Sequence, residues 1–262
     1  MTAQEEITSD LRQLPEFIIP GVQKGGTSSL FSYLAQHPRI QPSRNKEIHF
    51  FDHKYDRGIE WYRNSFPVRT NSGLITGEAS PYYFFHPLAA LRISTHCPGV
   101  KLIVLLRDPV ARAYSHYMMI RNKGYEPFET FEEALAAEPD RLAGTTEEIK
   151  SGRCRFNLNH QMYSYLARGM YHMQVQEWLK YFQMDQFLFI KSELFFDNPK
   201  AELLKVYDFL GIEPIFPSDL KPVNTNIYHP ILPETNSFLI NHFEEDVRKL
   251  AALIGDEFNW WD

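Results

Sequence analysis

Residues 17–40 read FIIPGVQKGGTSSLFSYLAQHPRI. The stretch opens with a short apolar run closed by Pro20 and Gly21, which predicts a buried strand. It turns through Lys24, Gly25 and Gly26 and then carries three hydroxyls, Thr27, Ser28 and Ser29. Leu30, Phe31 and Leu34 follow at helical spacing until Pro38, which predicts a helix over residues 27–37. A strand, a glycine turn and a helix in this order make an anion site, because backbone N–H groups at the turn and the helix N-terminus face one ligand. The ATPase pattern G-x-x-x-x-G-K-[ST] places its lysine after the second glycine. Here Gly21 and Gly26 have that separation, but Thr27 stands where the lysine belongs, and Lys24 precedes the glycine pair. Taken alone, the turn reads equally as a capped helix start.

Outward from this unit, strands and helices alternate. VKLIVLLRDP, residues 100–109, is the strongest strand pattern, an unbroken apolar run suited to a central parallel strand. GLITGE, residues 73–78, and FLFIKSE, residues 187–193, read as further strands. Helices are expected over residues 87–96, from Val110 onward, and over 128–137, 159–167, 171–182, 200–210 and 234–254. Residues 139–155 have weak periodicity and read as a lid or acceptor loop. The alternation predicts one α/β domain over residues 15–262, with a central parallel sheet flanked by helices in a P-loop-like nucleotide-binding fold. Residues 1–14 read as a polar tail. Ligands of such sheets lie beyond the carboxyl ends of the strands.

The 262-residue chain is 44% hydrophobic and 23% charged, an ordinary composition for a soluble protein. Its net charge of −6 argues against a nucleic-acid partner. Two cysteines, Cys97 and Cys154, make no disulfide framework, and a reducing, cytoplasmic setting is expected. No apolar run is long enough to span a membrane. The histidines and cysteines show no metal-ligand spacing, so no metal is expected.

A second anion site is suggested by LLRDPVARAYSHY, residues 105–117. Arg107 ends the strongest strand, and Ser115 lies about two turns into the next helix. A guanidinium can fork onto phosphate oxygens and a hydroxyl can donate beside it. Pairing of Arg107 with Asp108 is the plainer alternative.

In order, the chain carries GVQKGGTSSL, KEIHFFD with GIEWYRNSFP, GEASPYYF, LIVLLRDPVARAYSHY, RGMYHMQVQEWLKYF and FNWWD. This series resembles the sulfotransferases that use 3′-phosphoadenylyl sulfate (PAPS), in particular their heparan sulfate branch and its soluble bacterial relatives. The resemblance implies that Lys24, Gly25, Gly26, Thr27, Ser28 and Ser29 form the 5′-phosphosulfate loop, and that Arg107 and Ser115 hold the 3′-phosphate. It implies PAPS as donor, adenosine 3′,5′-bisphosphate (PAP) as product and no metal. On this resemblance Lys24 is expected to stabilise charge on the leaving phosphate. The general base is Glu47, by resemblance, with His49 as the alternative; in an extended segment the two would share a side. Histidine suits neutral-pH base work as it stands, whereas glutamate needs its pKa raised. Lys46 reads as a solvated lysine, with a second cation at the site as the alternative. Arg168 and Tyr171 are placed near the nucleotide, and the rings of SPYYFFHP and HFFD read either as acceptor wall or as core.

The chain departs from the branch twice. Ala79 replaces a catalytic lysine that follows the glutamate of GEASP, and residues 224–235, NTNIYHPILPET, lack the basic residues of a closing loop, leaving Asn224, Asn226, Tyr228 and His229 as neutral candidates. The expected acceptor is a hydroxyl or amine of a small molecule, lipid or carbohydrate. Two other readings remain, a non-catalytic nucleotide-binding module and a P-loop nucleotide kinase that needs magnesium.

Overall fold

Four parallel strands form one sheet in the order β2-β1-β3-β4. They are β1 (Phe17–Gly21), β2 (Gly77–Ala79), β3 (Lys101–Leu106) and β4 (Phe187–Lys191). The computed structural model describes residues 12–68, 73–223 and 229–261. The chain divides into two compact units. The first runs from the N-terminus to Leu106 and resumes over Tyr181–Thr225. The second comprises Arg107–Lys180 and Asn226–Asp262.

The sheet belongs to the first unit. β1 is buried along its whole length, and β3 is buried except at Lys101. Apolar runs of this kind suit strands covered on both faces. Helix α1 (Thr27–Leu34) and helix α10 (Pro199–Leu210) put Leu30, Tyr33, Leu34, Leu203, Val206 and Tyr207 into one core with Phe17, Ile19, Ile103 and Leu105. Short helices α2 (Ile59–Arg63), α3 (Ala89–His96) and α9 (Ser192–Asp197) complete this unit. β1 pairs with β2 on one side and β3 on the other. The chain therefore reverses its winding between β1 and β3, and in open α/β sheets ligands bind beyond the carboxyl ends of the strands at such a point. The glycine turn lies at this switch point, where Val22 N donates to Leu105 O at 3.0 Å.

The second unit is helical: α4 (Pro109–Asn122), α5 (Phe131–Leu142), α6 (Thr145–Lys150), α7 (Leu158–Met162), α8 (Tyr171–Trp178) and α11 (Pro233–Ile254). Val110, Ala113, Tyr117, Phe131, Leu239 and Phe243 are among its core residues. Thr130 and Glu133 close a capping box that starts α5, three residues later than the pattern over 128–137 suggests.

The expected lid over residues 139–155 is corrected: α5 continues through Pro139 to Leu142, and α6 follows after Gly144. Gly144 takes a φ of 73°, the left-handed turn glycine adopts without strain. The helix expected over 159–167 is also corrected; only α7 and a 3-10 turn at Ala167–Gly169 form there. GLITGE supplies only the start of β2, with Ile75 making an isolated bridge to Ile40. Among the described residues no helix is long and apolar enough to cross a membrane.

Candidate active site

The glycine turn is shaped by close approach. Gly25 N donates to Val22 O at 3.0 Å, and Ser192 Oγ donates to Gly25 O at 2.6 Å. A Cβ on Gly25 would stand 2.7 Å from the Leu105 carbonyl oxygen, so only glycine lets the turn lie against β3. Lys24 and Gly26 take φ values of 71° and 100°, both left-handed. The α1 N-terminus has no side-chain cap and no acidic residue in its first turn. Its amides and positive dipole end therefore meet no competing carboxylate from their own helix, which fits a bound phosphate. Thr27 is buried and Ser28 half-buried. Ser29 is fully buried, and its Oγ accepts from Val223 N at 2.9 Å, so this hydroxyl also serves the fold.

Residues 46–53 bring ionisable groups together. His49 Nε2 lies 3.0 Å from Glu47 Oε2, and His49 Nδ1 lies 2.6 Å from Asp52 Oδ2. Asp52 is buried, while Glu47 is the more exposed end of the chain of charges. Lys46 Nζ sits 3.3 Å from Glu47 Oε1 with its side chain only 19% exposed, so it is a partner of the carboxylate rather than a solvated lysine. Burial alone would lower the His49 pKa, but the Asp52 and Glu47 carboxylates outweigh it and raise the imidazole to about 9. Burial would likewise raise Glu47; the bonds to His49 and the charge of Lys46 outweigh it and hold Glu47 below the usual range. At neutral pH the pair is therefore carboxylate and imidazolium. The segment is not extended: His49 has a φ of 58°, in the left-handed region that histidine enters more readily than most residues. The two side chains meet across this turn rather than along a strand.

The backbone of the segment is held from several sides. Arg92 of α3 donates to Phe51 O at 2.8 Å and to Asp52 O, and Lys54 Nζ donates to Ile48 O at 3.0 Å. Phe50 N donates to the Tyr83 hydroxyl at 2.8 Å, and Phe84 N next to it donates to Pro20 O at 2.9 Å. These bonds tie the segment to the carboxyl edge of the sheet where the glycine turn begins. The rings of Phe50, Phe51, Tyr82, Tyr83 and Phe84 are buried, so they are core rather than an acceptor wall. His49, Asp52 and His53 also bring nitrogen and oxygen atoms within 4.8 Å of one another, a donor set that no linear spacing announces. In this arrangement the Asp52 oxygens face the two imidazoles, at 2.6 and 3.1 Å.

In the second unit, Arg107 directly follows β3 and is half-buried. Asp108 caps α4 by accepting from Val110 N at 2.9 Å, and it also accepts from Trp261 Nε1 at 3.1 Å. Tyr171 Oη donates to Arg107 O at 2.9 Å and fixes the backbone there. Tyr171 and Arg168 are both buried; Arg168 donates to Ser164 Oγ at 3.1 Å and Gln161 O at 2.8 Å. Both hold the fold of this unit. Ser115 lies on α4 and is buried. Of the neutral candidates near the C-terminus, Asn224, Asn226 and Tyr228 lie outside the described residues, and His229 is exposed.

The sequence reading missed Asp52, whose only local signal is its position three residues after His49. Glu78, which the sequence offers as a residue that orients another group or binds the acceptor, is fully buried.

The sequence matches the sulfotransferase domain family over residues 14–247. It is 31% identical to the membrane-associated sulfotransferase kil1 of Dictyostelium discoideum over 94% of this chain and 66% of that protein. It is 38% identical to human heparan sulfate glucosamine 3-O-sulfotransferase 3B1 over 79% of this chain and 48% of that protein. The chain thus spans about half the length of the human relative. The crystal structure of a sulfotransferase from Alicyclobacillus acidocaldarius superposes with a TM-score of 0.79 and 30% identity, covering 95% of this chain and 99% of that one.

Proposed function

We propose, from the premise that this chain belongs to the sulfotransferase family, that it moves a sulfuryl group from PAPS to a hydroxyl or amine of a carbohydrate, lipid or other small-molecule acceptor. One observation carries the catalytic part of this reading. Asp52, His49 and Glu47 form a line of bonds that ends in a partly exposed, ionised carboxylate.

The donor supplies an activated sulfuryl group on its 5′-phosphate. Glu47 takes the proton of the acceptor as the acceptor oxygen or nitrogen bonds to sulfur. The bond from sulfur to the phosphate oxygen breaks, its electron pair stays with that oxygen, and PAP leaves. Lys24, with the amide of Gly26 and the hydroxyls of Thr27, Ser28 and Ser29, faces the charge that grows there, and Gly25, whose own amide is held by Val22 O, lets the turn lie close. Fixed donors of this kind are worth about 2.7–4 kcal/mol. Arg107 and Ser115 take the 3′-phosphate.

His49 is a positioning residue in this scheme rather than the base. Both of its ring nitrogens face carboxylates, and its proton is held too tightly for it to accept another at neutral pH. Asp52 keeps the imidazolium oriented, and the imidazolium in turn orients Glu47. A low Glu47 pKa limits its strength as a base but keeps it deprotonated. Positioned base catalysis of this kind contributes about 10²–10⁴-fold. Ala79 is fully buried on β2 and supplies no cation, which leaves Lys46 as the second positive charge beside Glu47. The cysteines Cys97 and Cys154 are free thiols, and we assign a reducing, cytoplasmic setting on that basis.

Calorimetry with PAP, and separately with ATP and magnesium, tests the donor. Binding of PAP alone is expected; binding of ATP with magnesium and not PAP overturns the reading in favour of a kinase. An acceptor screen with labelled PAPS then separates an enzyme from a binding module, since a module binds PAP and transfers nothing.

A further inference from the structure

We propose that Glu78 is a positioning residue that sets the direction of the hydrogen bonds holding the segment of Glu47 and His49, a role that rests on the base assignment above. Glu78 lies on β2, paired with Ile18 of β1, and is fully buried. Its partners are three neutral hydroxyls. Oε1 accepts from Tyr62 at 2.7 Å and Tyr83 at 3.1 Å, and Oε2 accepts from Ser80 at 2.6 Å.

A hydroxyl has one proton and two lone pairs. The Tyr83 and Ser80 protons point at the carboxylate, so their lone pairs are free to face elsewhere. They face the catalytic segment: Tyr83 Oη accepts from Phe50 N at 2.8 Å and Phe51 N at 3.4 Å, and Ser80 Oγ accepts from His49 N at 3.3 Å. A protonated Glu78 that donated to Tyr83 Oη would compete with the Phe50 and Phe51 amides, which already face both of its lone pairs. The ionised form is therefore the one that holds the segment, through bonds the carboxylate does not make directly.

The setting brings this switch near neutrality. Burial raises the Glu78 pKa to about 7, against the opposing effect of the Ser80, Tyr62 and Tyr83 bonds, and the Asp52 charge adds to the rise. The titratable groups that face it are Tyr62 on α2, Tyr83 after β2, Asp52 in the segment itself and Cys97 at the end of α3; the thiol of Cys97 is in turn raised. A carboxyl raised in the folded state is least costly to the fold when protonated. Stability from this group is thus greatest below about pH 4.5 and falls as pH rises to about 7, opposite to its positioning role.

The test compares Tyr83→Phe with Tyr62→Phe by amide hydrogen exchange on the ligand-free chain. Both remove one hydroxyl from Glu78 Oε1, but only the Tyr83 hydroxyl accepts from segment amides; Tyr62 meets Phe50 and Phe51 through its ring, which the phenylalanine keeps. Tyr83→Phe is expected to speed exchange at Phe50 N at least about tenfold, and Tyr62→Phe to change it less than about twofold. Equal effects of the two overturn the proposal. In the wild type, the amide resonances of His49 and Phe50 should show an inflection near pH 7 that Glu78→Gln abolishes. Its survival in that variant also overturns the proposal, and where Glu78→Gln does not fold, the same inflection at Phe50 must vanish in Tyr83→Phe and persist in Tyr62→Phe, the reverse outcome overturning the proposal. None of these readouts needs donor or acceptor, so failure to find sulfuryl transfer would refute the activity while leaving the bond directions measured.

Discussion

Asp52→Asn keeps the size of the side chain and removes its charge, which makes it the sharpest probe of the catalytic segment. In the wild type the His49 pKa is raised from 6.5 to about 9, a preference for the imidazolium of roughly 3 kcal/mol at 1.36 kcal/mol per tenfold step. The Asp52 bond is the larger of the two opposing carboxylate contributions, with Nδ1 and Oδ2 at 2.6 Å, so its share is about 2 kcal/mol. A raised histidine pKa stabilises the fold fully below about 6.5, and the contribution is lost as pH rises through about 9. Urea denaturation should therefore show Asp52→Asn less stable by about 2 kcal/mol at pH 6 and nearly equal to wild type at pH 10. An imidazole NMR titration should show His49 falling back toward 6.5. Turnover at neutral pH should drop by about 10²-fold or more, because the neutral ring no longer holds Glu47 in one orientation. A wild-type His49 that titrates near 6.5, or a stability loss equal at pH 6 and pH 10, refutes the charge arrangement.

Glu47→Gln should lower turnover about 10²–10⁴-fold with PAP affinity unchanged by calorimetry; intact turnover in this variant with none in His49→Ala would make His49 the base. Arg107→Ala should weaken PAP binding by about 1.5–3 kcal/mol, the cost of a charged hydrogen-bond donor, and change adenosine 5′-monophosphate binding far less because that ligand lacks the 3′-phosphate. Gly25→Ala should lose PAP binding and at least about 1 kcal/mol of stability in thermal melts, because its Cβ meets the Leu105 carbonyl 2.7 Å away.

Much of the frame was legible along the chain. Apolar runs marked β1, β3 and β4, and helical spacing marked α1, α10 and α11, because burial on both faces or along one stripe leaves a periodic trace in composition. The glycine turn was legible for the same kind of reason: Gly25 and Gly26 meet a local need for close approach and for a left-handed backbone. The expected lid was misread because Pro139 breaks the helical pattern near the end of α5 and α6 is only six residues long, too short to leave a periodic trace.

The sequence by itself determined the family, the fold class and the residue types available for the chemistry, since these depend on short-range patterns and on several motifs in a fixed order. In the reading proposed above, only tertiary structure separates the two neighbouring side chains that could serve as base. Glutamate and histidine two residues apart have ordinary pKa values that favour histidine at neutral pH. A buried carboxylate at Asp52 and a left-handed turn at His49 reverse that order by fixing a proton between them. The same holds for Glu78, whose influence passes through hydroxyls of Ser80 and Tyr83 to amides some thirty residues away. Electrostatic roles of this kind depend on burial and on the direction of each bond, and neither is written in the spacing of residues.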